Sequence, residues 1–386
     1  MRAGLLAGLG LAVVLAVGCT SDEHPGAAPP ATARLPSTAT DRLPTDVTTA
    51  LQAILDGVVA DHALTAAAGA RGLTAAVVTP DGSWTGAAGT DGVGKRLVPR
   101  AMMAVDSITK TFVAAEVMQL FAAGRVDVDA PMSRYVRHRL TANGATVREF
   151  LSMRSGVTDP PRHVFETLLR ARTAHPAQPW PTRRILAFLH PGAGLPSGRP
   201  VYANSNYLLL GLLVESVTGR TPGEVARTEL FGPAGLVRIA AQDRERPTPP
   251  LGRPSCRRAA PDGYLPSRAV TDLEQDTFAG IAADAATLAD WGNELYGGRL
   301  LAPVLVRDMG TPPTLTGVAP GIGYGLGTMV FEGLRTSVTV GHIGEDPCYT
   351  SMLAAVPARH LAAAVLIPQG NREIVPIMRD LLDALP

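Results

Sequence analysis

The chain has 386 residues, 46% of them apolar, and a formal net charge of +1. Such a length bounds it to one large domain or two ordinary ones, with enough apolar material for a sizeable core. A near-neutral balance without a basic run or aromatic–basic alternation argues against nucleic acid as a partner, and 40 Gly with 33 Pro is high for a globular chain but short of the disordered range.

The N-terminus opens with Met1-Arg-Ala-Gly, runs apolar from Leu5 to Val17 and then meets Gly18-Cys19. This run is too short for a comfortable membrane span and reads as an export signal. Leu15-Ala-Val-Gly-Cys19 resembles a bacterial lipoprotein cleavage site, with Cys19 as the lipidated residue; Ala16 departs from the usual Leu. A plain cleaved signal, giving a secreted protein, is the alternative. Residues 1–19 are thus expected to be the signal, 20–44 an Ala/Pro/Thr-rich tether, and 45–386 the folded part. A lipid group would tether the chain to a membrane without spanning it. In an oxidising compartment Cys256 and Cys348 could pair or remain two buried thiols; sequence leaves both open.

Apolar residues at Val47, Leu51, Ile54, Leu55, Val58 and Val59 carry helical spacing. Leu73–Thr79 and Ser83–Ala88 flank the turn signal Pro80-Asp-Gly82 and predict a hairpin. A helix is expected from about Ser107 to Ala123, with Asp106 as its N-cap and Gly124 as its stop. Val147–Met153 predicts a short helix, residues 160–200 a Pro-rich and partly helical excursion, and Ser205–Val217 a strong helix ending at Gly219. Residues 241–270 read as loop and Asp284–Leu295 as helix. Tyr324–Phe331, Ser337–His342, Thr350–Val356 and Leu361–Ile367 read as strands of an antiparallel meander, and Glu373–Leu385 as a closing helix. The expected architecture is α+β: one mixed, antiparallel-rich sheet built from both ends of the chain (45–105 with 271–386), flanked by helices, and a mostly helical lobe (106–270).

Three short motifs could carry chemistry. In Ser107-Ile-Thr-Lys110, two side chains three apart share one helix face. Only two lysines occur, Lys95 and Lys110, so 33 of the 35 basic residues are Arg. Arg cannot give up its proton, whereas a desolvated Lys can become a base for a serine nucleophile. The other reading of Lys110 is a solvated helix charge. In Tyr202-Ala-Asn204 an extended backbone would aim a phenol and a carboxamide at one cleft. Tyr can relay a proton once neighbouring cations lower its pKa. The other reading is a helix cap by Asn204 with Tyr202 in the core. In Gly341-His-Ile-Gly344, His342 offers a charge near neutral pH, or else is a satisfied sheet histidine. The eight histidines show no metal-ligand spacing, and no Gly-x-Ser-x-Gly elbow is present.

Taken in order, Ser-x-x-Lys, Tyr-x-Asn and His-x-Gly resemble the serine β-lactamase-like, penicillin-recognising hydrolases: class C β-lactamases, D-alanyl-D-alanine carboxypeptidases and related esterases. Thr146–Gly156, Asn204–Gly211 and Ala282–Gly298 extend the likeness, which covers about residues 45–386. The resemblance implies a β-lactamase/transpeptidase-like fold and an acyl-enzyme on Ser107. Lys110 and Tyr202 would share proton transfer, Asn204 would orient the acyl side chain, and His342 would add positive potential. The N–H groups of Ser107 and Glu345 would form the oxyanion hole. No cofactor or metal is implied; the partner is a small-molecule, ester or peptide substrate. Two departures stand out: Ile343 replaces a common hydroxyl residue, and Glu345 with Asp346 replace small residues. Both favour a neutral ester or amide. A non-catalytic binding lipoprotein on the same scaffold is the competing expectation.

Overall fold

The computed structural model describes residues 43–60, 71–161, 163–164, 167–168, 171, 181–190, 201–242, 245–254, 279–311, 320–346 and 348–385. Helix α1 (Thr45–Ala60) buries Leu51, Leu55 and Val58, the face its spacing predicts. Strands β1 (Gly72–Thr79) and β2 (Gly82–Gly89) form the hairpin, with Thr79 opposite Gly82 across the turn. Strand β3 (Met103–Ala104) leads into a 3₁₀ turn, Asp106–Ile108, and then helix α2 (Thr109–Ala122). The helix expected from Ser107 therefore starts two residues later. Ser107 lies in the preceding turn, and Asp106 is no N-cap: it sits inside the turn at φ +48°, a strained conformation for a side-chain-bearing residue.

Helix α3 (Val147–Leu151) begins with a capping box between Thr146 and Glu149. Helix α4 (Thr182–Leu189) is the described part of the Pro-rich excursion. Helix α5 (Asn204–Thr218) ends at Gly219 in the left-handed conformation, as its sequence predicts. Strands β4 (Ile239–Ala241) and β5 (Ile281–Ala283) join β3 in a small sheet of order β3-β5-β4. Asp284 caps helix α6 (Ala285–Tyr296) by accepting from the N–H of Thr287.

The expected strand Tyr324–Phe331 is two strands, β6 (Ile322–Tyr324) and β7 (Met329–Phe331), separated by a turn at Gly325–Thr328. Strands β8 (Thr339–Glu345), β9 (Thr350–Val356) and β10 (Leu361–Ile367) follow, then helix α7 (Val375–Asp383). The large sheet has the order β2-β1-β10-β9-β8-β7-β6, and every pairing is antiparallel, so it is not mixed. Its join between β1 and β10 unites the two ends of the folded chain in one layer.

Two contacts hold helices α2 and α6 together. Trp291 on α6 stacks on Phe112 of α2 (3.9 Å between ring centroids, 11°) and donates its indole N–H to Thr111 Oγ1 at 2.9 Å. Helix α2 itself is buried on nearly every side, from Thr109 to Met118. Such a helix is a core element, not an amphipathic surface one, so a residue in its first turn has no easy route to water. Cys348, just after β8, is disulfide-bonded; Cys19 and Cys256 both lie outside the described residues. Among the described residues, no helix is long and apolar enough to cross a membrane.

Candidate active site

Lys110 is fully buried in the first turn of α2, and its Nζ lies 2.8 Å from Ser107 Oγ. Burial lowers its pKa from the ordinary 10.5 to about 7, although the carboxylates of Asp159 and Asp106 oppose the shift. The solvated-charge reading of Lys110 is therefore excluded. At neutral pH much of the amine is neutral, and its lone pair can accept the Ser107 O–H.

The turn carrying Ser107 is clamped by the sheet. Ser351 Oγ on β9 donates to Val105 O at 2.8 Å, and Val105 N–H donates to Ile281 O at 3.0 Å. Gly344 on β8 lies so close that an added Cβ would stand 2.2 Å from Val105 O. That contact explains the glycine: any side chain there would push β8 off the turn.

Tyr202 precedes α5 in extended backbone, and its hydroxyl hydrogen-bonds Ser107. Lys110 Nζ lies 5.0 Å from the Tyr202 ring centroid and 5.7 Å from that of Tyr207, within cation–π range. The expected lowering of the Tyr202 pKa does not occur. Burial pushes the phenol up, well past its ordinary value, and the Ser107 bond only partly offsets it. Tyr202 is a protonated phenol at rest. Asn204 is the first residue of α5, and it does not cap the helix. Asp159 accepts from the N–H of Asn204 (2.7 Å) and of Ser205 (2.8 Å) instead. The Asn204 Oδ1 atom is buried with no hydrogen-bond partner among the described residues.

His342 differs most from expectation. It is fully buried, and burial, with Lys110 beside it, lowers its pKa to about 3. Its Nδ1–H donates to Ile343 O at 2.6 Å, and its Nε2 accepts from Tyr324 O–H at 3.2 Å. The ring is neutral across the physiological range and adds no positive potential. Tyr324 meets both His342 and Tyr202 edge to face, with centroids 5.6 Å apart in each case.

Strand β8 supplies a second donor edge. Strand β7 pairs only as far as Gly341, while β9 pairs on to Glu345. Beyond Gly341, the N–H of Ile343 reaches the Met329 sulfur (3.4 Å) on the β7 side. Amides two apart on a strand point the same way, so the N–H of Glu345 faces that same, open side. The Glu345 side chain is exposed, and Asp346 is turned into the β8–β9 connection, where its Oδ1 accepts from Cys348 and Tyr349 N–H.

The structure thus gathers Ser107, Lys110, Tyr202 and His342 and places Asn204 and Glu345 at the ends of adjoining elements. Sequence reasoning missed Asp159, Tyr207 and Tyr324. No local spacing points to them, because their partners are 45 or more residues away for Asp159 and 18 for Tyr324 and His342. Among the described residues, no three His, Cys, Asp or Glu side chains group as a metal site.

A family model for Beta-lactamase matches residues 52–382. The chain belongs to the Beta-lactamase family, whose members are serine hydrolases. Its fold is that of a D-stereospecific amidohydrolase from Streptomyces sp. (24% identity, 87% of this chain and 98% of that one, TM-score 0.69). It is also that of the D-amino acid amidase from Ochrobactrum anthropi SV3 (20% identity, 88% and 99%, TM-score 0.72). The Unguisins hydrolase ungD' of Aspergillus campestris is 26% identical over 176 residues, 43% of this chain; the matched part spans about a third (32%) of that protein.

Activation of Ser107 by the neutral Lys110 amine predicts that the rate at which a fluorophosphonate modifies Ser107 rises with pH with a midpoint near 7. His342→Gln should keep that midpoint. A midpoint displaced by more than about one pH unit in that variant would assign the titration to the histidine.

Proposed function

We propose that the protein is a serine amidohydrolase or esterase working through an acyl-enzyme on Ser107. The observation that carries this reading is the 2.8 Å contact between Ser107 Oγ and the buried Lys110 amine. Neutral Lys110 takes the Ser107 proton as Oγ bonds to the substrate carbonyl carbon. The N–H groups of Ser107 and Glu345 hold the oxyanion that forms. The C–N or C–O bond then breaks, and the leaving amine or alcohol receives the proton from Lys110, with the Tyr202 hydroxyl as the intermediate donor. Water adds to the acyl group as its proton passes to Lys110, and the C–Oγ bond breaks as Lys110 returns that proton to Ser107 Oγ, which releases the acid and restores the neutral amine. Asn204, with its carbonyl oxygen uncommitted to any described residue, receives an N–H of the acyl side chain.

Charge favours substrates without a carboxylate beside the third motif. A neutral His342, an apolar Ile343 and the exposed acid of Glu345 give an anion no hold of their own. A missing charged hydrogen bond is worth about 1.5–3 kcal/mol, or roughly ten- to a hundredfold. This supports amides and esters over penicillins and D-Ala-D-Ala peptides. A D-stereospecific amidohydrolase and a D-amino acid amidase among the structural neighbours accord with it.

Intact mass after fluorophosphonate treatment should show labelling of the wild type and none of Ser107→Ala. Lys110→Arg keeps the charge but should lose about 10³-fold in turnover, because guanidinium cannot accept the proton. In a panel of D-phenylalanine amide, p-nitrophenyl butyrate, a chromogenic cephalosporin and a D-Ala-D-Ala peptide, the first two should react faster by at least about tenfold. An unlabelled wild type inert to the whole panel would leave a non-catalytic binding protein.

We further propose that residues 1–19 direct export and that Cys19 carries a lipid anchor; the support is the pattern of the N-terminal sequence. Cys19→Ala should move the protein from the membrane fraction to the soluble fraction of the exported pool. A wild type found wholly in the cytoplasm would contradict this.

A further inference from the structure

The Tyr202-Ala-Asn204 segment is held by the loop that follows helix α3, from Met153 to Asp159. Met153 O accepts from Val201 N–H at 3.1 Å, and the Met153 sulfur lies 3.5 Å from Ala203 N and 3.4 Å from Asn206 Nδ2. Ser155 Oγ donates to Asn206 Oδ1, and Asn206 Nδ2 donates to Ala203 O at 3.2 Å. The loop ends at Asp159, whose two oxygens take the first free N–H groups of α5: Oδ2 from Asn204 (2.7 Å) and Oδ1 from Ser205 (2.8 Å). Oδ1 also accepts from Ser205 Oγ–H at 2.8 Å.

A second shell fixes that carboxylate. Ser205 Oγ spends its one proton on Asp159, so its lone pair accepts from Nε2–H of His190, 2.9 Å away at the end of α4. His190 and Ser205 are both buried, and burial with Arg139 and His138 nearby lowers the His190 pKa to about 4. The imidazole is therefore neutral, with its proton on Nε2, and the chain His190→Ser205→Asp159 has one direction. Its end faces the site. Lys110 is surrounded by Asp159 and Asp106, the hydroxyl of Ser107, the phenols of Tyr202 and Tyr207, and neutral His342. Of the two carboxylates, Asp159 exerts the larger pull on it.

We propose that Asp159 is a positioning residue for catalysis, oriented by Ser205 and His190, with two effects on the site. It caps α5 from outside, so the Asn204 carboxamide is spared that role and stays available to substrate. It also sets its carboxylate beside the Lys110 amine, where burial raises the Asp159 pKa and the Ser205 and Asn204 donors and the amine itself oppose that rise. This inference rests on the reading of Ser107 as nucleophile and Lys110 as its base.

The test is Asp159→Asn together with Asp159→Ser, both uncharged residues able to cap a helix. Fluorophosphonate modification and p-nitrophenyl butyrate turnover are followed against pH. Without the negative charge the protonated amine is less favoured, so the acidic limb near pH 7 should move down by about one pH unit. Each replacement offers one acceptor oxygen where the carboxylate offers two, so the loosened anchor for Tyr202 and Asn204 should lower kcat about tenfold, with KM little changed. Folded variants with an unshifted limb would reduce Asp159 to a structural cap and overturn the proposal. A rise in KM confined to D-phenylalanine amide, with no change on the ester, would instead make it a contact for the substrate ammonium and also overturn it. If neither variant folds while Asp159→Glu folds and keeps the wild-type limb, the charge is needed for folding and the proposal fails. A wild type that neither labels nor turns over ester removes the underlying reading, an outcome distinct from labelled variants with an unshifted limb.

Discussion

An amine held out of water against a serine hydroxyl is the constraint on which this molecule is organised. Each pKa unit corresponds to about 1.4 kcal/mol, so bringing Lys110 from 10.5 to about 7 reflects several kcal/mol of unfavourable desolvation. The fold has to supply that from elsewhere. Helix α2 is buried on nearly every side, Trp291 and Phe112 lock it to α6, and the antiparallel sheet closes over the turn before it. Gly327 shows how tight the enclosure is: it adopts φ +69°, and a Cβ there would stand 2.7 Å from the Tyr207 hydroxyl and 3.2 Å from Lys110 O. What would be a flexible surface lysine on another helix is here confined among tyrosine rings.

The same enclosure decides the state of every other titratable group in the site. Tyr202, Tyr207 and Tyr324 are all pushed up and His342 is pushed down, in each case chiefly by burial. Of Lys110, these three tyrosines and His342, Lys110 alone is moved into the neutral range. A site with one base poised near pH 7 and little fixed positive charge suits proton transfer to and from a neutral amide or ester. It offers little to an anionic substrate. The polarity of the third motif thus follows from where β8 is packed rather than from the mere presence of a histidine.

Much of the fold was legible in sequence because its signals are local. The hairpin around Pro80-Asp-Gly82, the helix ending at Gly219 and the strands from Thr350 to Ile367 each carry their own periodicity and stop signals. The strand expected over Tyr324–Phe331 failed because its apolar run hides a turn at Gly325–Thr328, where Gly325 N–H bonds Thr328 O. The pairing of Ser107 with Lys110 was legible from spacing, since a 3₁₀ turn running into a helix still brings residues three apart together. Charge states were not. Whether His342 is an exposed cation or a neutral ring depends on what covers it, and the cover comes from Tyr324 and Tyr202, far apart in sequence. Asp159 was invisible for the same reason: a helix capped from 45 residues away leaves no capping pattern at its own start.

Lysine-specific labelling offers the most direct measurement, because the chain contains only Lys95 and Lys110. With 13C at the lysine ε-carbon, NMR should show two resonances, of which one vanishes in Lys110→Arg. The expected result is that this resonance titrates with a midpoint near 7. A midpoint near the ordinary 10.5 would place the amine in water and contradict the account of the site as a whole.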